Sequence, residues 1–114
     1  MRRLVVCIIV FYGAYSCSTT TIEEVQGPPL GTVVTYVQDV SPIVSNNCLS
    51  CHQTSQPNAG LNLETYQLMR EATENGNVLN RINNPSNPMP SSGLMAPELR
   101  AIIQTWADNG FIEN

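Results

Sequence analysis

Two thiols and one imidazole stand together at Cys48-Leu49-Ser50-Cys51-His52. The spacing is C-x-x-C-H, the pattern by which a chain attaches a c-type haem. Thiols three positions apart lie about one helical turn apart, so each can add to a vinyl group of the same macrocycle. The histidine that follows is then held beneath the iron, where an imidazole nitrogen can bind it. Other uses of these residue types fit less well. A tetrahedral zinc site takes four Cys, His or carboxylate ligands, and beyond Cys17 the chain offers only Cys48, Cys51 and His52 as thiol or imidazole ligands. A thioredoxin-like C-x-x-C opens a helix after a strand within a βαβ pattern, and no such pattern surrounds residues 48–52. A haem-free redox dithiol or a Cys48–Cys51 disulfide is the remaining alternative.

An electron-transferring haem needs a ligand opposite the histidine. His52 is the only histidine, so two imidazoles from one chain are excluded. Thioether sulfur suits haem iron and raises its potential, and Met69, Met89 and Met95 are the methionines beyond the first residue. Met69 falls on an expected helix beside Leu68 and reads as core filler. Met89 is flanked by Pro88 and Pro90, where a stiff irregular loop would display it, and is the expected ligand. Met95, before the last helix, is the alternative to Met89.

Elements that would carry these groups are legible around them. Val40, Ile43, Val44 and Cys48 recur at helical spacing, which predicts a short helix leading into the C-x-x-C-H segment. Asp39 or Ser41 would cap it, with Pro42 in its first turn. Residues 53–60 read as a loop, followed by the apolar pair Leu61 and Leu63. A second helix is expected from Glu64 or Thr65 to about Glu74, with Leu68 and Met69 inward, Arg70 and Glu71 outward, and Asn75-Gly76 ending it. A third runs from Val78 to Asn83 and buries Val78, Leu79 and Ile82. Pro85, Pro88 and Pro90 forbid helix through the next segment. The last helix, Pro97 to Asn109, carries Leu99, Ile102, Ile103 and Trp106 at i, i+3, i+4, i+7, with Gly110 at its C′ position. No strand and no repeat is expected, and the fold class is all-α.

The chain of 114 residues has room for one domain plus processed segments. Met1-Arg2-Arg3 followed by the apolar run 4–11 and small residues before Cys17 predicts an export signal over residues 1–16. The apolar run is too short for a membrane span. Ala14-Tyr15-Ser16-Cys17 resembles a lipoprotein cleavage box, so Cys17 is expected to be lipidated and to anchor an exported, periplasmic or cell-envelope domain to a membrane. Residues 17–34, polar and rich in Thr, Gly and Pro, read as a tether with a span of roughly 20–25 Å. The domain proper is expected over 35–114. Cys7 then leaves with the signal, and no disulfide framework remains to propose.

After cleavage Arg70, Arg81 and Arg100 face nine acids, for a net charge of about −6 with no lysine. Such a surface has no affinity for nucleic acid, and redox partners are expected to dock through basic or neutral faces. Trp106, Phe111, Tyr36 and Tyr66 supply the aromatic bulk of a thin core, which a covalent haem would fill out. Arg81 and Trp106 read first as a solvated helix arginine and a core tryptophan, with a haem-propionate contact as the second reading of each.

Taken in order, a short helix, C-x-x-C-H, a small helical middle, a Met-Pro loop and a tryptophan-bearing last helix resemble the class I cytochrome c domains, in particular small bacterial lipoprotein-type monohaem members. Asp39-Val40-Ser41-Pro42-Ile43 resembles the family's segment before the haem motif, Gly60-Leu61-Asn62-Leu63 the segment after it, and Met89-Pro90 with Trp106-Ala107-Asp108-Asn109-Gly110 its later part. Where family members often carry Met-Pro-Pro-Gly, this chain has Ser91-Ser92-Gly93 after Pro90. The resemblance spans about residues 35–112. It implies thioether links at Cys48 and Cys51, His52 as proximal ligand, Met89 as distal ligand, and crossing of the first and last helices beside one covalently bound haem c. The Val40/Ile43/Val44 stripe would then meet Leu99/Ile103/Trp106. The implied activity is one-electron transfer, not enzyme catalysis. A five-coordinate gas-binding or sensing haem domain and a haem-free thiol–disulfide module are the alternatives.

Overall fold

The computed structural model describes residues 31–114, and over these the chain is mostly helical. The expected signal of residues 1–16, the expected lipid site at Cys17 and nearly all of the 17–34 tether lie outside the described residues. Val34 is only 1% exposed, so the packed domain begins just before the expected Thr35.

Thr35 opens the first helical segment. Its Oγ1 accepts from the Gln38 N–H at 3.3 Å, while its own N–H donates to Asp39 Oδ2 at 2.8 Å. The two residues cap each other in the manner of a capping box. The cap is therefore Thr35, and not Asp39 or Ser41. A wide π turn over Tyr36–Val40 runs into α1, Ser41–Asn47. The Ser41 N–H reaches back five residues to the Tyr36 carbonyl. Pro42 follows at this widened turn, where a ring without an N–H leaves fewer bonds unmade than it would in a regular helix interior. Val40, Ile43 and Val44 are buried, as their spacing requires.

Beyond α1, β1 (His52–Gln53) and β2 (Gln56–Pro57) form a minimal antiparallel pair, with His52 opposite Pro57. This corrects the expectation of a chain without strands: the loop 53–60 folds back on itself around Thr54-Ser55. A 3₁₀ turn over Asn58–Gly60 follows. α2 spans Tyr66–Glu74, capped by Thr65, whose hydroxyl accepts from the Leu68 N–H at 3.3 Å. Met69 is fully buried but Leu68 is 40% exposed. Met69 and Thr73, four apart, define the inward stripe, and Leu68 sits about 100° away from Met69. α3 runs Val78–Asn83, and α4 Pro97–Asp108. Gly110 takes φ +82°, the left-handed C′ conformation that ends α4.

The core joins the π turn and α1 to α4. Val40, Ile43 and Val44 share one cluster with Ile103 and Trp106, and Leu99 packs on its edge. Trp106 meets Phe111 edge-to-face at 5.0 Å and lies 5.7 Å from Tyr36, which meets Tyr66 at 5.4 Å. The chain end closes on the domain start. Tyr36 N–H donates to Ile112 O at 2.8 Å and Val37 N–H to Glu113 O at 3.0 Å. Trp106 Nε1–H also donates to Ile112 O, and Tyr66 Oη–H to Phe111 O, each at 2.8 Å. Among the described residues no helix is long and apolar enough to cross a membrane.

Candidate functional site

The end of α1, the hairpin, α3 and the proline-rich loop line an open cavity of about 560 Å³. Cys48, Cys51 and His52 line it from one segment, and Met89 and Pro90 from another. Leu61, Leu63 and Ile82 supply apolar wall.

The C-x-x-C-H segment is positioned by its own backbone. Cys48 N–H closes α1 by donating to Val44 O at 2.8 Å. Cys51 and His52 then both donate to Cys48 O, at 3.1 and 3.0 Å, which winds the five residues into a single tight turn. His52 is held from two sides. Its carbonyl accepts from Leu63 N–H at 2.9 Å, and its ring Nδ1 lies 3.3 Å from Leu61 O. A carbonyl only accepts, so this contact assigns the proton to Nδ1 and leaves Nε2 with a lone pair. The imidazole is thereby oriented and set in the tautomer a metal ligand needs.

A polar staple holds that segment against the chain following it. Thr54 N–H and Oγ1–H both donate to Glu64 Oε2, Asn62 Nδ2–H donates to Thr54 Oγ1 at 3.0 Å, and Glu64 N–H donates to Asn62 Oδ1 at 2.9 Å. These bonds favour the ionised Glu64 carboxylate and hold its pKa below the ordinary value. Sequence reading missed this staple; the closely spaced Asn62 and Glu64, with Thr54 ten residues earlier, were its only trace.

The two thiols differ. Cys51 is exposed and Cys48 half-buried, and both are free. Burial pushes the Cys48 thiol up to about 11, so it is protonated at neutral pH. A thiol–disulfide exchange site instead lowers the pKa of its attacking cysteine.

The three methionines separate cleanly. Met69 is fully buried under α2 and Met95 is 7% exposed within the core. Met95 is further clamped through its carbonyl, which accepts from Arg100 Nε at 3.0 Å while Arg100 Nη1 reaches Asn83 Oδ1 at 2.8 Å. Neither lines the cavity; Met89 does. The Met89 N–H donates to Arg81 O at 3.0 Å, tying the loop to α3.

Arg81 and Trp106 fare differently. Trp106 spends its indole N–H on Ile112 O and does not line the cavity. Arg81 lines the cavity, and its Nε is buried without a hydrogen-bond partner. A buried cationic N–H of this kind fits an anionic group, such as a carboxylate, brought in by a ligand. The volume lies in the range of about 300–1,000 Å³ that cofactor sites take. Among the described residues no group of three or more His, Cys, Asp and Glu could cage a metal ion. The donor set instead suits a metal that arrives with most of its ligands in a macrocycle. Arg81, the apolar walls, the imidazole and the thioether together fit haem.

Comparison of the chain with family models, curated proteins and solved structures finds no match.

Proposed function

We propose that the domain holds one covalently attached c-type haem and carries single electrons, as in the small cytochrome c fold its helix order resembles. Cys48 and Cys51 would form the thioether links, and His52 and Met89 would be the axial ligands. The observation that carries this reading is the convergence of the C-x-x-C-H turn, Met89 and the unpartnered Arg81 Nε on one cavity. When bound, the haem supplies a reversible ferrous–ferric couple.

The chain's own residues do the rest. Leu61 O would orient the His52 imidazole, the bond from Met89 N–H to Arg81 O would restrain the Met89 loop, and Leu61, Leu63 and Ile82 would keep water from a bound haem. Thioether ligation by Met89 would raise the potential of that couple. The gas-binding alternative needs an iron position left without a protein ligand, and a methionine lining the same cavity as His52 speaks against it. In the thiol–disulfide alternative the half-buried Cys48, its thiol pushed up by burial, would be a poor attacking group. Export, lipidation at Cys17 and anchoring by the 17–34 tether belong to the same proposal and rest on sequence alone.

Expression with a haem-attachment system, denaturation and intact-mass measurement test the reading. The expected result is one haem added covalently, and none in the Cys48→Ser, Cys51→Ser double variant. A wild-type chain that matures without the added mass overturns the proposal.

A further inference from the structure

Charge is segregated in this domain. Residues 40–63, which contain α1, the C-x-x-C-H turn and the hairpin, hold no Asp, Glu, Lys or Arg. Nor do residues 82–97, which contain the Met89 loop. Both stretches meet at the cavity. Of the nineteen residues that line it, Arg81 alone carries a full charge. Its exposed amide and hydroxyl members Ser50, Asn58, Asn77, Ser91 and Ser92 are all small and neutral.

The seven acids among the described residues lie elsewhere or are already engaged. Glu98 and Asp108 belong to α4, which gives no residue to the cavity, and Asp39 and Glu113 sit at the clip joining the chain end to the π turn. Glu74 pairs with Arg70, whose guanidinium covers Phe111. Glu71 accepts from Asn75 Nδ2, and Glu64 is held by Thr54. Among the described residues, the rim of this cavity thus carries no charge apart from Arg81.

We infer that this rim is the docking face for a redox protein whose own contact surface is uncharged, and that the acids take no part in docking. The inference rests on the haem reading above and selects the neutral partner over the basic one. Short amides and hydroxyls around an apolar opening match a partner patch of the same kind: they cost little side-chain entropy to order, and a lysine ring would find no Asp or Glu among the lining residues to pair with. Encounter is then steered weakly, and its rate depends little on salt.

The local charge can be read with small oxidants of the reduced, haem-loaded domain. Tris(phenanthroline)cobalt(III), a trivalent cation, and ferricyanide, a trivalent anion, each take one electron from the ferrous iron, becoming cobalt(II) and ferrocyanide. Stopped-flow rates are measured from about 10 to about 200 mM ionic strength. The two carboxylates of a haem, offset by Arg81, leave about one negative charge at the mouth, so each rate is expected to change by less than about fivefold. A cobalt rate that falls, with a ferricyanide rate that rises, by more than about tenfold means the whole protein's charge is felt there and overturns the inference.

Ser92→Lys and Asn58→Lys should each raise the low-salt ferricyanide rate at least about twofold and lower the cobalt rate, while Glu98→Gln leaves both unchanged. If Glu98→Gln moves the rates as far as the rim variants do, the inference fails. Concentration-dependent NMR broadening of the holoprotein that Ser92→Lys abolishes would assign the face to a second copy and also overturn it. Absence of covalent haem is seen before any kinetics and counts against the functional reading, whereas a haem-loaded domain with steep salt dependence counts against the docking face alone.

Discussion

Replacing Trp106 by Phe tests how the chain end is tied to the core and whether the indole serves the cavity. Trp106 is fully buried, meets Phe111 edge-to-face at 5.0 Å and donates to Ile112 O at 2.8 Å. Phenylalanine is smaller by roughly 40 Å³, and a residual void of that size costs about 1 kcal/mol. The lost hydrogen bond adds about 1 kcal/mol. It stays at that modest level because Ile112 O keeps the Tyr36 N–H as a second donor. A destabilisation of about 2 kcal/mol follows, and urea unfolding followed by circular dichroism should show a midpoint lower by about 1–2 M. The midpoint potential of the haem-loaded domain should shift by less than about 30 mV, half of the 59 mV that a decade takes in a one-electron equilibrium. A propionate role for Trp106 predicts the reverse pattern, little loss of stability and a large change in potential. That result would refute the assignment of the indole to the chain-end clip.

Arg81→Met removes a positive charge that faces the cavity, which favours the ferric state; spectroelectrochemistry should show a potential lower by about 30–60 mV, largely restored in Arg81→Lys. An unchanged potential would mean that Arg81 is a surface side chain only. Gly76→Ala would drive a Cβ into the Ala72 carbonyl at the end of α2, and a loss of about 1–3 kcal/mol in thermal unfolding is expected. Glu64 has its pKa lowered in the folded state by the bonds from Thr54. Its stabilisation is therefore complete above the unfolded-state value and is lost as pH falls through the folded one. Glu64→Gln should be less stable than wild type at neutral pH, with the gap closing in acid; a gap that stays constant with pH would exclude the carboxylate as its source.

How much of this was legible in the chain depends on whether the determinant was local. Ile102, Ile103 and Trp106 fix a helical face by spacing alone, so α4 and its Gly110 terminus could be read directly, as could the Val78–Asn83 helix between Asn75-Gly76 and the prolines. The C-x-x-C-H spacing and the proline-flanked Met89 are likewise local, and both segments line the same cavity. The π turn was not legible, because the Tyr36 and Val37 N–H groups are drawn to carbonyls at the far end of the chain. Leu68 was misassigned for a related reason: it sits about 100° round the helix from Met69, and tertiary packing, which no local spacing shows, turned Met69 inward and left Leu68 largely exposed. The hairpin turns on two residue pairs, too short for a period-two pattern to register. Arg100 carries no motif, and its clamp on Met95 and Asn83 joins elements that only the fold brings together.

The central claim is that His52 and Met89 bind the two faces of one covalently held haem iron. The absorption spectrum of the oxidised protein tests it most directly, through the weak red band that thioether sulfur gives on ferric haem. The band should be present in wild type, lost in Met89→Ala and retained in Met95→Ala. A band that survives in Met89→Ala, or disappears in Met95→Ala instead, would contradict the account.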